Sequence, residues 1–341
     1  MTGMDARTAA RNALVCVLEA RNGEKLMVIC DAEKRPVGEA FAGAALELGL
    51  YTRLVMLPEE RKPRKEVPPM LEAAIIEGRP DLFVNLMRGG ADETPFRIQT
   101  TRLEKRRRVR LGHCPGITLD MLTDGALALT EEQYRGLQGT AVELLAVCQG
   151  ATGVHIRSPG GTDLRFSVAE REFFTDTMLN WGTLKWMNLP VGEVIVGPVE
   201  SSAEGKLVCT TAVGGVGLLR EPVTLEVRQG RVQEISCADA GARAAIEKAQ
   251  AIDEWAPRIG EFAFGLNPRA RLIQEFLETE KMAGTVHVAF GNNADYPGGR
   301  NLSKTHMDFL VSEPSVELEF GKDTRPVVEK GAFVYKRGER P

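Results

Sequence analysis

The chain has 341 residues, 43% apolar and 26% charged, enough to bury one large core or two domains. Its 43 Lys and Arg stand against 47 Asp and Glu, a net charge of −4, which excludes a mainly electrostatic nucleic-acid binder and points to peptides or small molecules as partners. The six cysteines are scattered without a CxxC pair and suit a reducing, cytoplasmic compartment. The N-terminal residues, with Asp5, Arg7 and Arg11 among apolar ones, do not have a signal-peptide pattern, and no run of about 18 apolar residues is present to span a membrane.

In chain order, Ala10, Ala13, Leu14, Val17 and Leu18 fall at helical spacing, and the apolar run Leu26 to Cys30 reads as a buried strand. A helix through Ala40, Ala44, Ala45 and Leu48 and a strand over Tyr51 to Met56 complete a βαβ pattern. The segments Leu71 to Ile76 and Asp81 to Met87 repeat the alternation, and the Pro- and charge-rich stretch Pro58 to Pro69 reads as a solvated connection. Thr130 and Gln133 have capping-box spacing and open a helix to about Cys148. From Thr152 the pattern changes to short alternating runs with turn residues. These are Val154 to Arg157, Leu164 to Val168, and a hairpin of Val223 to Val227 and Val232 to Ile235 around Gln229-Gly230. Helices are expected over Ala242 to Trp255 and Arg271 to Lys281, and strands over Phe262 to Leu266, Thr285 to Phe290 and His306 to Val311. The expected architecture is α/β (α+β): an N-terminal α/β layered domain over 1–150 and a β-rich metal-binding domain over 151–341.

With only four histidines, any site built on imidazole has few candidates. In His306-Met307-Asp308 alternate residues of a strand share a face, so an imidazole and a carboxylate aim at one point. His287 lies in a second strand among apolar neighbours. Together the three make a two-His, one-carboxylate set suited to Zn, Fe, Co or Mn, with hydrogen-bonded core histidines as the competing reading. Glu193 and Glu261 each follow a glycine and precede an apolar run, which alone reads as a surface acid opening a strand.

The segments Asn188 to Pro198, Ile259 to Pro268, Gly284 to Gly291 and Ser303 to Val311, with Gly160 to Leu164 before them, resemble the M29 metallo-aminopeptidases, the aminopeptidase T or thermophilic leucyl aminopeptidase group, in the family's order. The resemblance implies a homodimer that hydrolyses the N-terminal residue of peptides through a two-metal-activated water. It implies Glu193, Glu261, His287, His306 and Asp308 as ligands of two divalent ions, Zn, Co, Mn or Mg, with Glu193 bridging. It further implies Glu261 as general base and Tyr296 as the residue that hydrogen-bonds the developing oxyanion. A related enzyme, 2,5-dihydroxypyridine dioxygenase, implies the alternative of a single Fe(II) held by His287, His306 and Asp308 for ring cleavage.

The other features have structural readings. The basic run Arg102, Lys105, Arg106, Arg107, Arg108 and Arg110 reads as a charged helix end, since no aromatic residues interleave with it. Neighbouring residues of a strand face opposite ways, so His113 and Cys114 are not a nucleophile pair. His155 reads as a half-exposed strand residue. The loop Asn292 to Asn301 must lie near the metals if the ligand set is right, and it offers Asp295 or Arg300 to a substrate.

Overall fold

The computed structural model describes residues 3–105, 109–182 and 185–335. The chain divides into two units, residues 1–138 with 176–191, and residues 139–175 with 192–341. The division therefore differs from a single cut at 150. It falls inside the helix Glu131–Cys148, and residues 176–191 return to the first unit because strand Trp186–Asn188 pairs in parallel with Arg110–His113.

The first unit holds a five-stranded parallel sheet in the order Tyr51–Leu57, Lys25–Asp31, Leu82–Leu86, Arg110–His113, Trp186–Asn188. Its inner strands are buried along almost their whole length, with apolar runs Leu26 to Cys30 and Leu82 to Val84, as parallel sheets covered on both faces require. Helix Ala6–Cys16 is capped by Asp5, whose carboxylate accepts the Thr8 N–H, and the Thr130–Gln133 box forms reciprocally at 2.9 and 3.2 Å. Two expectations are corrected here. The stretch 58–69 is not simply solvated, because Arg64 folds inward and pairs with Asp31 at 2.6 Å. Arg110 is not part of a charged helix end: it begins a strand, is buried, and pairs with Glu24 at 2.6 Å. Arg106, Arg107 and Arg108 lie outside the described residues.

The second unit carries two antiparallel sheets of eight and seven strands. The eight-stranded one includes the expected hairpin Val223–Arg228 and Arg231–Cys237, with a bulge after Glu226. The seven-stranded one places strands His306–Val311, Val286–Gly291, Ile259–Gly265 and Glu193–Val196 side by side. Facing aromatic rings, Phe166 from one sheet and Phe262 from the other, meet at 5.4 Å in the core between them.

Three further readings change. The helix expected to Trp255 ends at Gln250. The helix expected over 271–281 is reduced to one turn, Phe276–Thr279. Its side chains bond the backbone instead: Glu278 accepts from the Arg271 N–H at 3.0 Å, and the Thr279 hydroxyl takes the Ile273 N–H at 3.0 Å, which competes with helical pairing. His155 is buried rather than half-exposed, with Asp163 at 2.7 Å and Glu317 at 3.5 Å on its two ring nitrogens. All six cysteines are free thiols. Among the described residues no helix is long and apolar enough to cross a membrane.

Candidate metal centre

Strand register explains why distant residues meet. Ala263 is opposite His287, Gly265 opposite Glu193, Ala289 opposite Asp308 and Gly291 opposite His306. Side chains alternate, so Glu193, Glu261, His287, His306 and Asp308 share one face of four adjacent strands, while Phe262, Phe264, Val286, Val288, Phe290 and Phe309 point into the core. The positions between the acids and imidazoles on that face are Ala263, Gly265, Ala289 and Gly291; the two glycines admit backbone that closes over the face, the Met282 carbonyl at Gly265 and the Thr305 carbonyl at Gly291. A bulge between Ile259 and Glu261, with Gly260 as the extra residue, re-aims the Glu261 carboxylate toward the imidazoles.

Among the described residues, Glu261, His287 and Asp308 form the one group of at least three donors whose ligand atoms all lie within 4.8 Å of one another. His287 Nε2 is 3.4 Å from Glu261 Oε1 and 3.8 Å from Asp308 Oδ1. His306 Nε2 lies 2.8 Å from Glu261 Oε2 and 3.2 Å from Asp308 Oδ1, and its Nδ1 is fixed by the Asn292 carbonyl at 2.8 Å. That backbone contact orients the ring and leaves Nε2 for the carboxylates, the arrangement expected of a metal-ligating imidazole. On the other side of His287, Nδ1 is buried without a hydrogen-bond partner, 3.6 Å from Glu193 Oε1. Glu193 is itself ion-paired to Lys281, which reaches Glu280 at 2.9 Å as well.

The electrostatics are those of a cluster short of positive charge. Burial opposes charge on His287, but Glu193, Glu261 and Asp308 outweigh it and push the imidazole up to about 10. His306 moves the same way through Asp308 and Glu261, again against burial. The two imidazoles hold Glu261 well below the usual carboxylate range despite its burial. Glu193, Glu261 and His287 are almost fully buried, so solvent does little to offset the excess of negative charge and the demand for a cation stays high. An orphaned imidazole nitrogen, three carboxylates and a second imidazole on one face fit a divalent metal.

Tyr296 is brought to this face by the loop after the His287 strand and donates its hydroxyl to Glu261 Oε2 at 2.5 Å. The loop is anchored by Glu200, which accepts from the Arg300 N–H at 2.8 Å and Asn293 Nδ2 at 3.2 Å and pairs with Arg171 at 2.7 Å. Asp295 and Arg300 are exposed on it, and Arg300 contributes its backbone N–H rather than a charge. Glu200 and Lys281 were not expected from the sequence. The signals available were a glutamate closing the Gly197-Pro198 turn and a Glu-Lys pair just ahead of the His287 strand.

The profile of the thermophilic metalloprotease family M29 matches residues 143–333, more than half of the chain, and the chain belongs to that family. The family is one of metallopeptidases, hydrolases that use divalent metal. Two solved structures share the fold. Wild-type AmpT from Thermus thermophilus is 17% identical, with a TM-score of 0.76 over 97% of this chain and 99% of that one. The 2,5-dihydroxypyridine dioxygenase from Pseudomonas putida KT2440 is 19% identical, with a TM-score of 0.70 over 98% and 99%. No curated protein matches the chain.

Proposed function

We propose that the protein is a metal-dependent aminopeptidase that removes the N-terminal residue of peptides, with Glu193, Glu261, His287, His306 and Asp308 as its metal ligands. The observation that carries this reading is that Glu193 and His306 stand within 3.6 Å of the Glu261, His287 and Asp308 group on one sheet face, which makes three carboxylates and two imidazoles, two carboxylates beyond what a single facial triad requires. Those residues would hold divalent metal, which when bound would supply polarisation of a scissile carbonyl and a lowered pKa for water. The chain's own residues do the rest. Among the carboxylates we assign to Glu261, which accepts from Tyr296, the proton of the attacking water and its return to the leaving amine. Tyr296 keeps its proton, because burial and the Glu261 charge push its pKa upward, and it would donate to the developing oxyanion on turning away from Glu261, which holds that hydrogen in this structure. His306, oriented by the Asn292 carbonyl, and His287 hold their nitrogens on the reacting face.

A second reading, a single-iron ring-cleaving dioxygenase, draws support from His287, His306 and Asp308 standing together while Glu193 is engaged by Lys281. One experiment separates the two. Metal-free protein is reloaded with Zn, Co, Mn or Fe(II) and assayed on free and N-acetylated peptides and on 2,5-dihydroxypyridine with oxygen uptake. The aminopeptidase reading expects cleavage of free peptides alone. Oxygen uptake with Fe(II) and no peptide hydrolysis would establish the second reading instead.

A further inference from the structure

Lys281 carries the only ammonium described at the candidate metal centre, and the backbone that delivers it is tightly constrained. Asn267 donates its N–H to the Lys281 carbonyl at 2.8 Å, and the Lys281 N–H bonds the Glu278 carbonyl at 3.1 Å. This segment lies against the Glu261 and Glu193 strands because two glycines admit it. A Cβ on Gly265 would stand 2.2 Å from the Met282 carbonyl oxygen, and one on Gly192, where φ is +146°, would stand 2.6 Å from Asn267 Cβ. The side chain is 2% exposed and ends between Glu193 Oε2 and Glu280 Oε1.

The two ends of the centre are therefore unlike. On the Nε2 side of His287 lie Glu261 and Asp308, with His306 Nε2 against both, and no lysine is described among these donors. On the Nδ1 side lies Glu193, one of whose oxygens already holds a cation. We propose that Lys281 is the resident cation of the Glu193 end: it makes the two metal positions unequal, so that one divalent ion binds tightly at Glu261, His287 and Asp308, and a second gains Glu193 only by displacing the ammonium. The proposal rests on the metal-centre reading above. Its physical basis is that a fixed unit charge a few ångströms from a divalent ion weakens binding by about tenfold or more, even in partly screened surroundings.

The test is a binding isotherm of metal-free protein with Co(II), read by calorimetry and by metal content at fixed free Co(II). The wild type is expected to bind one ion tightly and a second at least about tenfold more weakly. Lys281→Met, which keeps length and removes charge, is expected to tighten the second step by about tenfold or more and to lower the thermal midpoint of the metal-free protein. Lys281→Arg, which keeps the charge, should restore the wild-type asymmetry. Two equally tight ions in the wild type would overturn the proposal without any variant, as would a second step unchanged or weakened in Lys281→Met, or Lys281→Arg behaving like Lys281→Met. Absence of Co(II) binding by the wild type would instead remove the metal-centre reading on which the proposal rests.

Discussion

Each unit buries a group of charges, and the two groups are balanced differently. In the first unit Arg64 pairs with Asp31 at 2.6 Å, its backbone N–H bonds Glu93 at 2.9 Å, and Arg88 reaches Glu93 at 2.5 Å. Asp31 and Glu93 thus face Arg64 and Arg88, with the buried Arg97 guanidinium beside them, so cations at least match carboxylates. In the second unit Glu193, Glu261, Glu280 and Asp308 meet one ammonium and two imidazoles, and the imidazoles are drawn toward the charged form to make up the deficit. Balanced buried charges hold a loop in place, whereas an unbalanced set keeps a place for a cation from outside.

The comparison breaks most visibly at the ligands. Asp308→Ala or His306→Ala should lower metal-dependent turnover by about a thousandfold or more, with an unchanged far-ultraviolet circular dichroism spectrum. Activity within about twofold of wild type would remove that residue from the ligand set. In the balanced group the effect should appear as stability instead. Arg64→Met leaves Asp31 and Glu93 buried beside an apolar side chain, expected to cost about 3–5 kcal/mol in denaturant unfolding while metal content stays the same. Tyr296→Phe sits between these extremes, with an expected loss on the order of a hundredfold in kcat and little change in metal affinity. A loss confined to KM would assign the hydroxyl to substrate binding.

The smallest expected effect concerns Glu104, buried and accepting from Asn85 at 2.8 Å in the first unit. Burial pushes its carboxyl up to about 8, partly offset by the Asn85 bond. The folded form keeps a proton that the unfolded chain loses near its ordinary value of 4.5, so this group's contribution to stability declines as pH rises from about 4.5 through about 8. Glu104→Gln should flatten that decline by a few degrees in the thermal midpoint between pH 5.5 and 8, and an unaltered pH profile would show that the carboxyl ionises without penalty.

Much of the site was legible because strand periodicity is strict. The two-residue spacing of His306 and Asp308, and the apolar neighbours of His287, require these side chains to share a face once the strands pair. Glu193 and Glu261 were legible only through family resemblance, since neither strand order nor the bulge at Gly260 is written in local spacing. Lys281 was hidden for a different reason. Its segment has helical composition, and the Arg271–Glu278 and Thr279 bonds that unwind it depend on side chains meeting in three dimensions. Likewise His155 lies in an ordinary alternating strand, and its burial follows from Asp163 and Glu317 on neighbouring strands. The inward turn of Arg64 from a charge-rich stretch is equally a long-range effect, set by Asp31 and Glu93.

The central claim is that the face shared by Glu193, Glu261, His287, His306 and Asp308 binds divalent metal. Elemental analysis of protein purified without chelator, alongside Asp308→Ala and Arg64→Met prepared identically, tests it most directly. The account predicts at least one divalent ion per chain in the wild type and in Arg64→Met, and its loss in Asp308→Ala. A wild type that neither retains nor takes up a divalent ion, or an Asp308→Ala protein with full metal content, would contradict it.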